Sequence, residues 1–149
     1  MKKKNKKKGI VFWITGLSGA GKTSLANGIK KEIKKEFGPT LIINGDDLRK
    51  IFKLNKYDKF SRLEYAKQYG QFVRFITNQG INVIFTVVGM FNKIRIWNKK
   101  NIQNYLEIFV KASVIKIKKK KKKKLYLNKN NSIVGMHIKP EFPKNPNII

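Results

Sequence analysis

The residues best suited to chemistry lie near the amino end. Gly16-Leu17-Ser18-Gly19-Ala20-Gly21-Lys22-Thr23, with Ser24 behind it, fits G-x-x-x-x-G-K-[ST] at every fixed position. Glycines at 16, 19 and 21 permit backbone conformations that turn successive N–H groups toward a phosphate, and a helix beginning there adds the partial positive charge of its amino end. Lys22 brings a full charge to the β- and γ-phosphates, and the Thr23 hydroxyl suits magnesium. The stretch reads as a phosphate-binding loop for ATP or another nucleoside triphosphate with Mg2+. A second set follows at Asn44-Gly45-Asp46-Asp47-Leu48-Arg49. Asp46 could accept a proton from an attacking hydroxyl or hold magnesium through water, and Arg49 could grip an anionic substrate with two N–H groups. The plainer reading makes Asp46 or Asp47 a helix N-cap and Arg49 a surface charge.

These groups need elements to hold them. Ile10 to Thr15, IVFWIT, is the short β-branched and aromatic run of a strand buried on both faces. Ser24 to Phe37 reads as a helix, with Leu25, Ile29 and Ile33 on one face and Gly38-Pro39 closing it. Leu41 to Ile43 is a second strand, so Asp46 and Arg49 would leave its carboxyl end in a loop, where open α/β sheets bind ligands. A long helix Phe60 to Thr77 and strands Asn82 to Val88 and Leu106 to Val110 complete the order. The expected class is α/β: a three-layer P-loop NTPase fold with a parallel sheet of about four or five strands flanked by helices. Trp13 and Trp97 are expected in packing, and the single histidine, His137, at the surface.

Composition narrows the class. With 149 residues there is room for one domain. A charge of +27 would suit disorder, but 41% hydrophobic and 11% aromatic residues exclude a wholly disordered chain. The absence of cysteine excludes disulfides, thiolate metal sites and thiol nucleophiles. No apolar run reaches the roughly 20 residues of a membrane span, and the expectation is a soluble, cytoplasmic protein. Six lysines fall in residues 1–8 and eight in residues 116–124. Neighbouring ammonium groups repel by about 1 kcal/mol per close pair even in water, so both runs should be solvated and mobile. Residues 1–9 are expected to be a disordered basic tail and 10–149 the folded domain. The basic start followed by Gly9 to Ile14 imitates a secretory signal, but cleavage there would destroy the loop motif.

The same residues resemble the adenylylsulfate kinases, which move phosphate from ATP to the 3′-hydroxyl of adenosine 5′-phosphosulfate. GLSGAGKTSLA opens the likeness, and INGDDLR is similar to the family's D-G-D-N-x-R. Phe60-Ser61-Arg62-Leu63-Glu64 resembles a shortened F-S-x-x-D-R-x-E-N, Tyr105-Leu-Glu-Ile-Phe-Val resembles Y-x-E-V-Y-V, and Glu141-Phe-Pro-Lys-Asn-Pro146 resembles E-x-P-x-N-P. The resemblance implies that Gly16 to Ser24 bind ATP, that Thr23 and Asp46 serve magnesium, and that Lys22 and Asp46 are catalytic. It further implies that Arg49 and Arg62 face the acceptor's phosphosulfate beside Asp46, and that Phe60 lies near its base, where stacking is worth roughly 1–3 kcal/mol. Small nucleotide substrates are the implied partners, with room for a homodimer.

Departures from the family pattern fall on the acceptor side. Asn44 replaces the first aspartate of D-G-D, Tyr65 the asparagine of E-N, and Gly89 and Asn92 the serine and arginine of I-S-x-x-R. The form G-M-F with Trp97-Asn98 downstream resembles a subgroup from bacterial surface-polysaccharide clusters, some of whose members phosphorylate a cytidine diphosphate-linked phosphoramidate. That acceptor is the alternative. The family's lid, R-D-x-K-G-L-Y, survives only in Leu125-Tyr126; Lys120, Lys121, Lys123 and Lys124 take its arginine, aspartate, lysine and glycine positions. Lysine lacks the planar fork of arginine, so a low-complexity expansion that weakens the enzyme is preferred over a working cationic lid. A degenerate nucleotide binder is a third reading. The pI near 10.4 and the lysine runs also suggest nonspecific polyanion binding. The chain ends shortly after E-x-P-x-N-P, where relatives continue, so a truncated product is expected.

Overall fold

A computed structural model describes residues 7–120 and 133–149. The elements run β1 (Val11–Thr15), α1 (Lys22–Phe37), β2 (Thr40–Asn44), α2 (Gly45–Ile51), α3 (Lys59–Thr77), β3 (Asn82–Val87), α4 (Asn92–Asn101), β4 (Tyr105–Phe109) and α5 (Val114–Lys120). The strands form one four-stranded sheet in the order β2-β3-β1-β4, and every pairing is parallel. This is the α/β class expected, with four strands. The carboxyl-terminal segment runs beside β4: Ile148 bridges Ile108 in parallel, and Phe109 N–H donates to Ile148 O at 2.8 Å.

Alternation along the strands sends side chains to two faces. Val11, Trp13, Val83 and Phe85 pack under α3 and α4 with Tyr69, Val73 and Ile94. Phe12, Ile14 and Ile84 face the other way, onto Ala26 and Ile33 of α1. The Trp13 and Phe85 rings stack with centroids 4.7 Å apart, so Trp13 is a core residue. Burial of β1 on both faces explains its continuous apolar run; helices cover it from each side. A third cluster, Leu17, Met90, Phe109, Ile117 and Val134, closes the carboxyl edge of the sheet.

Three local expectations are corrected. Helix α1 begins at Lys22, not Ser24, because Gly21 takes a left-handed conformation, φ 103°, and stands as its N-cap. The Asp46 segment is the first turn of α2, not a loop, and its cap is neither Asp46 nor Asp47: the Asn44 side chain accepts from Asp46 N–H at 3.0 Å. Helix α4 was not foreseen, since Asn92, Asn98 and Asn101 depress local helix propensity. It forms because Ile94, Arg95 and Asn98 are buried where α4 packs on α3, with Arg95 also paired to Glu107 of β4.

The beginning of the second lysine run, through Lys120, is helical in α5; the rest of that run, with Leu125-Tyr126, lies outside the described residues, as do residues 1–6. At the amino end, Gly9 N–H donates to Thr77 O at 2.8 Å, which ties the start of the described chain to the end of α3. Among the described residues, no helix is long and apolar enough to cross a membrane.

Candidate functional site

Two clefts open side by side at the carboxyl edge of the sheet, and one carboxylate borders both. The first, about 310 Å³, is lined by the P-loop residues Ser18, Gly19, Gly21, Lys22, Thr23 and Ser24 on one wall and by Asn44, Asp46 and Thr86 on the other. Gly19 and Gly21 have φ of 83° and 103°, left-handed values that L side chains rarely adopt, so the loop geometry needs glycine at both positions. Lys22 Nζ donates to Gly16 O and Leu17 O, each at 2.9 Å, which holds the ammonium group over the loop. Leu17 is buried beneath it with Val134 and Met90. Gly16 lies against Val110: an added Cβ would come within 2.7 Å of Val110 O. Ala20 N–H closes the turn onto Leu17 O at 3.1 Å.

The second cleft, about 50 Å³, is lined by Asp46, Arg49, Arg62, Tyr65, Tyr69 and the turn from Val88 to Phe91, among others. Arg49 Nη2 donates to Lys56 O at 2.6 Å, and its guanidinium carbon stands 4.2 Å from the centre of the Tyr57 ring and 5.1 Å from that of Tyr65. Arg62 Nε donates to Tyr57 O at 2.8 Å, and its guanidinium is 5.4 Å from the same ring. Burial, and then the nearby charge of Arg49, lower the Arg62 pKa. Two guanidinium groups held together over aromatic faces concentrate positive charge in this cleft, which suits an anion. Tyr69 donates to Gly45 O at 3.3 Å and so fixes the start of α2; burial pushes its pKa up to about 12.

The sequence-derived residues divide cleanly in space. Gly19, Gly21, Lys22, Thr23 and Ser24 meet Asp46 at the first cleft, and Asp46, Arg49 and Arg62 meet at the second. Asp47 instead makes a surface ion pair with Lys50 at 3.9 Å. Phe60 lines neither cleft; it is 73% exposed in the first turn of α3. His137 is a surface residue whose Nδ1 accepts from Ile133 N–H at 3.2 Å. Sequence reading missed Tyr57, Tyr69 and Val134. A signal for Tyr69 existed: Arg62, Tyr65, Ala66 and Tyr69 recur at helical spacing and share one face of α3.

The departure at Gly89 also has a local reason. Its φ is 36°, and an added Cβ would meet Val87 Cγ1 at 2.9 Å, so a serine there would be strained and would have to displace the Val87 side chain.

Comparison with known proteins gives one consistent result. The family model for adenylylsulphate kinase matches residues 8–149. Cytidine diphosphoramidate kinase of Campylobacter jejuni is 32% identical over 138 residues, which span 90% of this chain and 81% of that protein. Adenylyl-sulfate kinase of Gloeothece citriformis is 26% identical over 148 residues, spanning 96% and 84%. The structure of the Mycobacterium tuberculosis APS kinase CysC, in complex with AMPPNP and APS, shares the fold with a TM-score of 0.84 at 21% identity, covering 95% of this chain and 87% of that one. On a match that runs from the strand before the P-loop to the last residue, the chain belongs to the adenylylsulphate kinase family.

Proposed function

We propose that the chain is an ATP-dependent kinase that phosphorylates a hydroxyl of a nucleotide-linked, anionic acceptor. The observation that carries the reading is Asp46, which borders both the glycine-lined cleft and the arginine-lined one. The triphosphate lies along the P-loop, where main-chain amides and Lys22 neutralise its charge. Arg49 and Arg62 hold the acceptor's anionic group in the second cleft, which brings its hydroxyl to Asp46. Asp46 accepts the hydroxyl proton as the new oxygen–phosphorus bond forms, the bond to the β-phosphate oxygen breaks, and ADP leaves.

Magnesium fits the oxygen donors present. Thr23 and Asp46 both line the first cleft, and the described residues hold no cluster of three or more His, Cys, Asp or Glu that could cage an ion. Mg2+ ordinarily uses few protein ligands and completes its shell with phosphate oxygens and water. When bound, it supplies charge neutralisation at the transferring phosphoryl group.

A cytidine diphosphate-linked phosphoramidate is the first acceptor. Support comes from the higher identity to the Campylobacter protein, 32% against 26% for the Gloeothece one, and from Tyr65 and Gly89 in the acceptor cleft, where the adenylylsulfate pattern has asparagine and serine. Adenylylsulfate, accepting phosphate on its 3′-hydroxyl, is the second reading, favoured by the family-like spacing of Asp46 and Arg49. A coupled ADP-release assay with both acceptors side by side tests the proposal. Release with the cytidine compound in excess over adenylylsulfate is expected. Release with neither would overturn the kinase reading in favour of a degenerate nucleotide binder.

A further inference from the structure

The turn from Val88 to Phe91 forms one wall of the acceptor cleft, and it is held from two directions. From the sheet, the Thr15 hydroxyl, at the last residue before the P-loop, donates to Val88 O at 2.7 Å and lies 3.5 Å from Met90 Sδ. From outside, a residue 49 positions away holds its far end: Glu141 Oε2 accepts from Asn92 N–H at 2.6 Å. Glu141 N–H donates to Met90 O at 2.9 Å.

Helix α4 has no cap from its own N-cap residue, Phe91. An acidic group at that end satisfies an otherwise unpaired N–H and complements the helix dipole. Arg95, one turn along, locks the arrangement: its Nη2 donates to Glu141 O and to Asn92 Oδ1, and its Nε stands 3.2 Å from Glu107 Oε1. Arg95 and Glu107 are almost wholly buried, so this anchor is fixed by charge pairing inside the core. The strand-edge segment is tied down as well, since Glu107 N–H donates to Asn147 Oδ1 at 2.8 Å.

We propose that Glu141 is a positioning residue for phosphotransfer: its carboxylate caps α4 beside the main-chain bond from residue 141 to Met90, and so sets the acceptor-cleft wall opposite the Thr15 tether. The proposal rests on the kinase reading above for its substrate, but not for its geometry.

The test is steady-state kinetics of Glu141→Ala and Glu141→Gln with each of the two acceptors, beside hydrogen exchange of the Asn92 amide. Glu141→Ala is expected to raise the acceptor KM by about fivefold to tenfold with the ATP KM unchanged, and to speed Asn92 exchange by a similar factor. Glu141→Gln keeps an accepting oxygen and should restore most of the acceptor KM. If Glu141→Ala does not fold, Asn92→Pro removes the donor instead, together with the Oδ1 partner of Arg95, and Asn92→Ala, which loses that oxygen alone, is its control; proline suits a first helical position, and Phe91, at φ −128° and ψ 123°, already has the extended backbone that must precede it. An unchanged acceptor KM, or equal changes in both KM values, overturns the proposal. Should the wild type turn over neither acceptor, the kinase reading fails, and the Asn92 exchange rate alone decides: unchanged protection in Glu141→Ala overturns the clamp.

Discussion

The two clefts are built by opposite means. The phosphate side draws most of its wall from six residues of one short stretch, Ser18, Gly19 and Gly21 to Ser24, whose glycines dictate the backbone. The proposed acceptor side gathers Asp46 and Arg49 from α2, Arg62, Tyr65 and Tyr69 from α3, the turn after β3, and Val134 from beyond α5. A contiguous loop keeps its geometry through local backbone preference, so its chemistry is general. A cleft assembled from distant segments can change one wall at a time, which is where specificity between related acceptors can shift. The departures from the adenylylsulfate pattern follow this division only in part: Tyr65 and Gly89 line the arginine-bearing cleft, but Asn44 lines the glycine-rich one and Asn92 lines neither, while every fixed position of the P-loop motif is kept.

The sharpest way to break this comparison is Lys22→Ala. Loss of the ammonium group should lower ATP turnover by about a thousandfold or more with either acceptor while the circular dichroism spectrum is unchanged; full activity would remove the P-loop from the chemistry. Next is Asp46→Asn, which keeps the shape at the junction of the clefts. It should lower kcat by about a hundredfold or more and leave nucleotide affinity, measured by calorimetry, nearly intact.

Arg49→Lys probes the acceptor side alone. Lysine keeps the charge but not the planar fork over Tyr57 and Tyr65, so the acceptor KM should rise by about tenfold while the ATP KM holds. Equal effects on both would mean the clefts are not separable.

The smallest effect is expected at Asp58, which caps α3 outside both clefts. Its carboxylate accepts from Ser61 N–H at 2.9 Å and from the Ser61 hydroxyl at 2.7 Å, and these bonds, the N–H first, hold its pKa below the usual aspartate value. A depressed folded-state pKa contributes stability that is present above the unfolded-state value and lost as pH falls through the folded one. Asp58→Ala should therefore lower the melting temperature slightly at neutral pH, and the difference from wild type should vanish in strong acid. A melting difference that persists there would assign the effect to packing instead of the cap.

Much of the fold was legible because its signals are local. The apolar run at Val11–Thr15, the glycines before α1 and the long periodic stretch of α3 each declare an element within a few turns of chain. Helix α4 was not legible, since its propensity is weak and its reason to exist is the burial of Ile94, Arg95 and Asn98 against α3 and the Arg95–Glu107 pair. The α2 cap was misread for a related reason: Asn, Asp46 and Asp47 are all capable caps, and backbone position, not residue type, chose Asn44.

By itself the sequence determined the phosphate loop, because glycine dihedral freedom and a lysine at fixed spacing act within eight consecutive residues. Tertiary structure alone decided that Asp46 borders both clefts, that two arginines converge over Tyr57, and that Glu141 caps a helix 49 residues away. Those outcomes depend on parallel strand register and helix packing across the whole chain, which no short window of residues encodes.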